Sequence, residues 1–353
     1  MRVIDPLEIS DTELLSSTVL EGPAADYDSN TTYADGDLVG TASAYSEPQE
    51  VWESLQDGNT GNAQEEGAFW TSRGIVYREY DDSLHADLNG IVSDLATHSL
   101  YQSLEANNHD IPLSDVTKWR YIGKTNRFKL FDYSRNDITT APESIQVVIK
   151  PGRRINSLTA KGVQANAYSL SVTSVFGGGE VYSASGSLNL RTTSTWAQYF
   201  YGEFDTSKSL VFFDLPLYSD AIITLTLTVT SGSASIATAV VGTFMDIGET
   251  LTNARNDIMN FSTVTRDAEG NAILVPTRNI PKSKQQVLAE KADITDIIQL
   301  RDRLNGRPAI WYGLSDPLDG YFEAVAILGF YRNFEIELSE GGRSIINLEL
   351  EEV

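Results

Sequence analysis

The sequence predicts a mainly β chain: two small tandem β modules, then a central β-sandwich or jelly roll, then a mixed β module with one helix. Three observations predict it. Residues 223–230, Ile-Thr-Leu-Thr-Leu-Thr-Val-Thr, alternate apolar and hydroxyl side chains with period two, the pattern of a half-buried strand. Val51-Trp52-Glu53-Ser54-Leu55 returns as Leu100-Tyr101-Gln102-Ser103-Leu104, 49 residues later. From Ile294 onward a single segment carries apolar residues at helical spacing.

Residues 1–23 form an N-terminal arm with no apolar stretch of signal-peptide length. The repeat then divides residues 24–76 from 77–123. The offset of 49 also maps Trp70 onto Trp119 and Gly74 onto Gly123. Upstream, Gly36-Asp37-Leu38-Val39 matches Asn89-Gly90-Ile91-Val92 at an offset of 53, so copy one carries four extra residues around Pro48. Two copies make a tandem duplication, since a solenoid needs three or more. Units of about 50 residues have marginal cores and lean on a neighbour.

Residues 124–250 form the sandwich. Besides 223–230, strands are expected at 144–150, 168–173, 197–200, 210–214 and 236–244, with turns at Pro151-Gly152, Gly177-Gly178-Gly179 and Ser231-Gly232-Ser233. Residues 251–353 form the mixed module. Strands are expected at 273–275, 286–289, 309–312, 322–330 and 345–349. Asp293 caps the helix, with Asp296 at its third position. Ile294, Ile297, Ile298 and Leu304 share one face, and Asn305-Gly306 with Pro308 ends it.

Composition narrows the chemistry. The 353 residues carry a net charge of −23, and residues 1–120 hold 23 acids against 5 bases, a net −18. Such a field repels phosphate, so nucleic acid is not an expected partner. Without cysteine there is no thiol nucleophile or thiolate metal site. His85, His98 and His109 lack metal spacing, and no cofactor, metal or membrane insertion is expected. Asp26-Tyr27-Asp28-Ser29-Asn30 with Asp37 echoes a calcium loop, but Thr31 stands where that loop needs glycine. No nucleophile elbow or phosphate-binding glycine loop occurs, so the chain is read as not an enzyme.

The duplicated segment resembles a known module. Tyr33-Ala34-Asp35-Gly36-Asp37-Leu38-Val39, Val51-Trp52-Glu53-Ser54-Leu55, Asn59-Thr60-Gly61-Asn62 and Trp70 resemble the chitin-binding modules of chitinases, and more closely the versions embedded in phage tail proteins. The family's proline after the Asn stretch is Ala63 in copy one and Pro112 in copy two, and Ala86 replaces the opening tyrosine in copy two. Further on, Thr125 to Asp132 resembles the segment that leads from such a module into the sandwich of phage minor tail proteins, and Phe213-Asp214-Leu215-Pro216 and the span from Trp196 to Phe200 resemble that galactose-binding-like sandwich. Ala309 to Tyr312 and Leu328 to Tyr331 resemble their C-terminal module.

The resemblance implies a structural protein of a phage tail (tail tip, baseplate or fibre attachment), made and assembled in the host cytoplasm and located in the virion. Its implied partners are other phage tail proteins and copies of itself in a symmetric assembly, with host surface glycan as a further contact. Sugar stacking needs exposed aromatic faces, and Tyr33, Trp52, Trp70, Tyr101 and Trp119 are the carbohydrate-binding candidates. The alternative for Trp70 and Trp119 is that they close the two small cores. A stand-alone glycan-binding adhesin and a polysaccharide depolymerase are the competing functions. The C-terminal two-thirds, near charge balance, is expected to anchor the protein, and the acidic N-terminal third to be exposed.

Overall fold

The computed structural model describes residues 1–353 other than 42, 134–136, 191–194, 197–204, 207–208, 253, 267–268, 318 and 339–340. The chain is mainly β. It opens with β1 (Arg2–Pro6) and β2 (Leu14–Ser17). The first module holds β3 (Thr32–Tyr33), β4 (Leu38–Gly40), β5 (Gln49–Ser54), β6 (Asn59–Thr60) and β7 (Trp70–Val76). The second holds β8 (Ile91–Asp94), β9 (Ser99–Ser103) and β10 (Trp119–Lys124). Next come β11 (Thr139–Ile149), β12 (Ser157–Lys161), β13 (Ala167–Ser174), β14 (Gly179–Ser187), the short pair β15 (Asn189–Leu190) and β16 (Asp205–Thr206), β17 (Ser209–Phe212), β18 (Ile222–Ile236) and β19 (Thr238–Asp246). The remainder is β20 (Glu249–Thr250), β21 (Arg255–Asn260), β22 (Thr263–Arg266), β23 (Ala272–Val275), β24 (Asn279–Glu290), α1 (Ile294–Arg303), β25 (Ala309–Tyr312), β26 (Ala326–Glu337) and β27 (Arg343–Glu352).

A ten-stranded sheet in the order β17-β12-β19-β1-β25-β26-β27-β24-β20, with β21 also on β24, organises the molecule. A five-stranded sheet, β14-β13-β18-β11-β2, packs on one end of it. Inward residues of β11, β13 and β18, among them Ile145, Val147, Leu170, Leu225 and Leu227, meet Leu158, Ala160 and Val241 of the large sheet in one core. Farther along the large sheet, α1 supplies the cover, burying Ile294, Ile297, Leu300 and Leu304 with Val3, Trp311 and Ile346. The opposite face curls around a third core of Ile4, Val240, Ile310, Tyr312 and Phe322. Curling brings Tyr312 of β25 to Thr159 of β12, where the tyrosine hydroxyl lies 3.2 Å from the threonine oxygen across two intervening strands. Gly329 permits the tight approach of β26 to β27: a Cβ there would lie 1.9 Å from the Glu351 carbonyl oxygen.

The large sheet runs across residue 250, taking strands from the segments assigned by sequence to the arm, the sandwich and the C-terminal module. The arm itself is two strands. β1 lies between β19 and β25, with Ile4 opposite Phe244 on one side and Ile310 on the other, and β2 edges the smaller sheet.

Several local expectations change. Ser231-Gly232-Ser233 is not a turn between strands but lies within β18, opposite a register break at Glu143 of β11. Both Gly232 (φ 80°) and Glu143 (φ 60°) adopt left-handed backbone there. Asp293 makes no side-chain cap bond, because a 3₁₀ turn at Lys291–Asp293 leads into α1 and leaves Asp293 itself near-helical. Residues 322–330 divide into a 3₁₀ turn, Glu323–Val325, and the start of β26. The strand expected at 197–200 lies outside the described residues. Gly177-Gly178-Gly179 does join two antiparallel strands, β13 and β14.

Candidate functional site: the duplicated modules and the cleft beneath them

The two modules share one geometry to the level of single hydrogen bonds. Each is a three-stranded antiparallel sheet, β4-β5-β7 and β8-β9-β10. Ser54 pairs with Trp70 as Ser103 pairs with Trp119, and both ladders break register at the same place, after Val51 in one and at Leu100 in the other. The Trp70 indole donates to the Asn62 carbonyl at 3.1 Å, and the Trp119 indole to the Ile111 carbonyl at 3.0 Å. The Asn59 amide donates to Ser54 Oγ and Phe69 O, and Asn108 does the same to Ser103 Oγ and Lys118 O. Each bond maps onto its counterpart 49 residues on.

Upstream the offset of 53 holds equally. Tyr27 meets Trp70 edge-on at 5.7 Å, and Tyr80 meets Trp119 at 5.7 Å. These two tyrosines, absent from the sequence candidates, complete both cores. The signal for them was present: 27 and 80 differ by that same 53.

Four of the five sugar-binding candidates lie in the interior. Trp70 and Trp119 are fully buried, with their rings in T-shaped contact with tyrosines and their N–H groups bonded to their own chain. Tyr33 and Trp52 are buried in the same cluster as Trp70. The Tyr33 hydroxyl is held by its own loop, donating to the Asp28 carbonyl and accepting from the Asp28 N–H. A module this small needs its aromatics inside, because nothing else there is large enough to exclude water. Among the five candidates only Tyr101 remains partly open, set edge-on to Tyr121 at 5.8 Å.

The four extra residues of copy one fall in the β4–β5 loop, and that loop grips copy two. Tyr45 Oη donates to the carbonyls of Glu79 and Asp81 and accepts from the Asp81 N–H. The Ser46 carbonyl accepts from Ile91 N–H and Ser46 Oγ from Asp87 N–H. Arg78 returns the contact, binding Asp26 at 2.6 Å; that carboxylate of the calcium-like segment therefore already has a cation. Asp28 in turn accepts from the backbone and side chain of Asn30, a local turn.

Burial pushes the Tyr45 hydroxyl up to about 12, and nearby Asp81, Tyr80 and Glu79 add to the rise. A folded value above the unfolded one, about 10, means a contribution complete below pH 10 and lost as pH rises through 12. The stability gap between the wild-type chain and Tyr45→Phe, about 1 kcal/mol for such a hydroxyl, is therefore expected to close between about pH 10 and 12. Urea titrations of both chains at stepped pH measure it. A gap constant to pH 12 would contradict the assignment.

Copy two is tied to the sandwich by a buried carboxylate. Glu21 accepts from Thr125 Oγ1 at 2.7 Å, lies 3.4 Å from Arg127, and meets His98 Nδ1 at 2.8 Å. The His98 ring stacks on Phe128 at 3.6 Å. Copy one is tied by Arg73, which pairs with Glu53 of its own sheet and Glu143 of β11.

Between the modules and the sandwich lies a cleft of about 900 Å³, floored by Pro142, Glu143 and Ser231 and walled by Glu50, Glu66, Ser72 and Tyr77. Its carboxylates are engaged. Glu50 accepts from Ser72 Oγ at 2.7 Å, Glu66 from Ser72 N–H at 2.6 Å, and Glu143 from Arg73. His85 and His109 do come together, ring centres 4.2 Å apart, but among the described residues no group of three metal-ligating side chains forms. No helix among the described residues is long and apolar enough to cross a membrane.

Searches against protein-family models, curated proteins and solved structures find no match to the chain.

Proposed function

We propose that this chain is a non-catalytic structural subunit of a phage tail, held in place by neighbouring subunits. One observation carries the reading. Residues 255–266 and 272–284 form a single long hairpin, and only its root joins the large sheet, where Lys282 to Lys284 of β24 pair with Glu351 to Glu349 of β27. Beyond the root, β22 and β23 pair with each other alone, and every described residue from 260 to 279 is exposed. An isolated two-stranded hairpin is at best marginally stable in water. This one nevertheless carries Phe261, Val264, Ile273, Leu274 and Val275 outward, the composition of a segment that packs on something. The sequence resemblance to phage minor tail proteins supplies the kind of particle, and the engaged carboxylates of the cleft favour a non-catalytic role.

Host-glycan contact, a second role, rests on Tyr101 and Tyr121, the aromatic pair left open on copy two. Tailed particles encoded by the genome that carries this chain are expected to contain it at a fixed ratio to the other tail proteins, and antibodies to residues 77–123 are expected to label the tail. Particles free of the chain would overturn the reading.

A further inference from the structure

We infer that His85 and His109 form a two-imidazole site for a divalent transition-metal ion of the Zn²⁺, Ni²⁺ or Cu²⁺ class, on the surface of the second module. The site stands apart from the assembly reading above. Twenty-four residues separate the two histidines along the chain, which gives no metal spacing, and the ladder supplies what the spacing lacks. In copy one, Thr32 of β3 stands opposite Thr60 of β6, and Tyr33 opposite Asn59. The offsets of 53 and 49 carry Tyr33 and Asn59 onto Ala86 and Asn108, which form the equivalent bridge and exchange backbone bonds of 2.9 Å in both directions. The same offsets carry Thr32 and Thr60 onto His85 and His109. The histidines thus flank a hydrogen-bonded pair and occupy the next, non-hydrogen-bonded rung, where opposed side chains of an antiparallel ladder come closest. Their ring centres lie 4.2 Å apart, with the rings inclined at 53°.

Both members of this rung differ together between the copies. In copy one they are hydroxyls that satisfy each other, Thr60 Oγ1 donating to Thr32 Oγ1 at 2.8 Å. In copy two they are imidazoles, both exposed, and among the described residues no hydrogen bond or ion pair engages either ring. His98, the third histidine of the chain, is the contrast: its two nitrogens face carboxylates, Glu21 at 2.8 Å and Asp11 at 3.2 Å. The two histidines with free nitrogens are therefore the two that the fold sets side by side.

The chemistry of the pair selects the ion. Imidazole nitrogens suit zinc, nickel and copper, whereas calcium and magnesium take oxygen ligands. On a tetrahedral ion with Zn–N bonds of about 2.0–2.1 Å, two nitrogens stand about 3.4 Å apart. Rings centred 4.2 Å apart reach that spacing through small side-chain rotations. Water completes the coordination, since among the described residues no third metal-ligating side chain joins the pair. The surrounding field draws cations in, for residues 1–120 carry a net −18. On the same ribbon the Asp110 N–H donates to the Asp82 carbonyl at 2.8 Å, and among the described residues neither carboxylate has an ion pair. An ion held across this rung clamps the two segments of the ribbon and so stabilises a module whose own core is small.

The test uses the full chain, free of any affinity tag, beside a variant carrying His85→Thr with His109→Thr. That variant installs the pair with which copy one already folds, so its circular dichroism is expected to stay unchanged. Calorimetric titration with zinc chloride is expected to find a single ion per wild-type chain. The double variant, and each single one, is expected to bind it at least about tenfold more weakly, since loss of a group that merely supports a ligand already costs about that much. Electron spin-echo spectra of the wild-type chain with equimolar Cu²⁺ are expected to count two imidazoles, a readout that needs no variant. Equal zinc affinity in the double variant, a copper signal from fewer than two imidazoles, or no zinc binding at millimolar ion would overturn the inference.

Discussion

Ile4→Asp is expected to destroy cooperative folding of the ten-stranded sheet. Ile4 is fully buried in the core shared with Val240, Ile310 and Tyr312, and its strand closes the sheet between β19 and β25. The substitution forfeits about 1.5–3 kcal/mol of apolar burial. It also leaves a carboxylate without a partner in that core, at an effective cost of several kcal/mol more. The sum reaches the whole stability of an ordinary domain, about 5–15 kcal/mol. Leu15→Asp is the matched control: it lies on edge strand β2 and is 50% exposed. Its effect is expected to stay within about 0.5 kcal/mol, as for other surface changes. Urea unfolding followed by tryptophan fluorescence compares the two. Equal midpoints would mean that β1 is not the central strand described.

Trp119→Ala is expected to unfold residues 77–123 while the large sheet keeps its protection. Removal of a buried tryptophan costs about 3–5 kcal/mol. Among the described residues this core has Ala86 and Val92 as its other buried apolar members, with Tyr45, Tyr80, Tyr101, Ile111 and Leu113 at its margin, so little remains to hold it. Trp70→Ala is expected to act likewise on the first module, whose cluster keeps Tyr33 and Trp52. Because the Tyr45 loop and Glu21 join the modules to each other and to the sandwich, each unfolding is expected to loosen those joints as well. Hydrogen exchange resolved by peptide separates the outcomes. Loss of protection confined to one module is the expected pattern. An unchanged exchange profile for Trp119→Ala would show that the indole does not close this core.

The local patterns read best where chemistry repeats along the chain. Alternation at 223–230 marked β18, which extends to Ile236 only because Gly232 and Glu143 absorb a register break that no period reveals. The run at 309–312 is β25 with the same limits, since four consecutive buried residues fit a strand covered on both faces. The hairpin at 255–275 was half missed. Arg255-Asn256-Asp257-Ile258 shows no clean alternation, because an arm exposed on both faces is under no pressure to separate polar from apolar.

The candidate site divides in the same way. Two offsets, 49 and 53, were enough to establish the duplication and the equivalence of Trp70 and Trp119, because a repeated fold demands repeated large side chains at repeated positions. They could not say which aromatics face out, since stacking platforms and core plugs draw on the same residue types. Burial settled that, placing Trp52, Trp70, Trp119 and Tyr33 inside. The purpose of the extra residues around Pro48 also needed three dimensions, because Tyr45 and Ser46 act on backbone groups 34 to 45 residues away.

The sequence on its own therefore determined the β class, the duplication and the helix, all of which follow from periodicities within a few residues or from a repeat along the chain. Only the tertiary structure decided that residues 2–6 form the middle of the largest sheet, that this sheet ignores the boundary at residue 250, and that an apolar hairpin stands uncovered. The reason is physical. A five-residue strand such as Arg-Val-Ile-Asp-Pro carries too little local preference to announce itself. Its place comes from partners more than 230 residues away, whose ladder and core exist only when the whole sheet has closed.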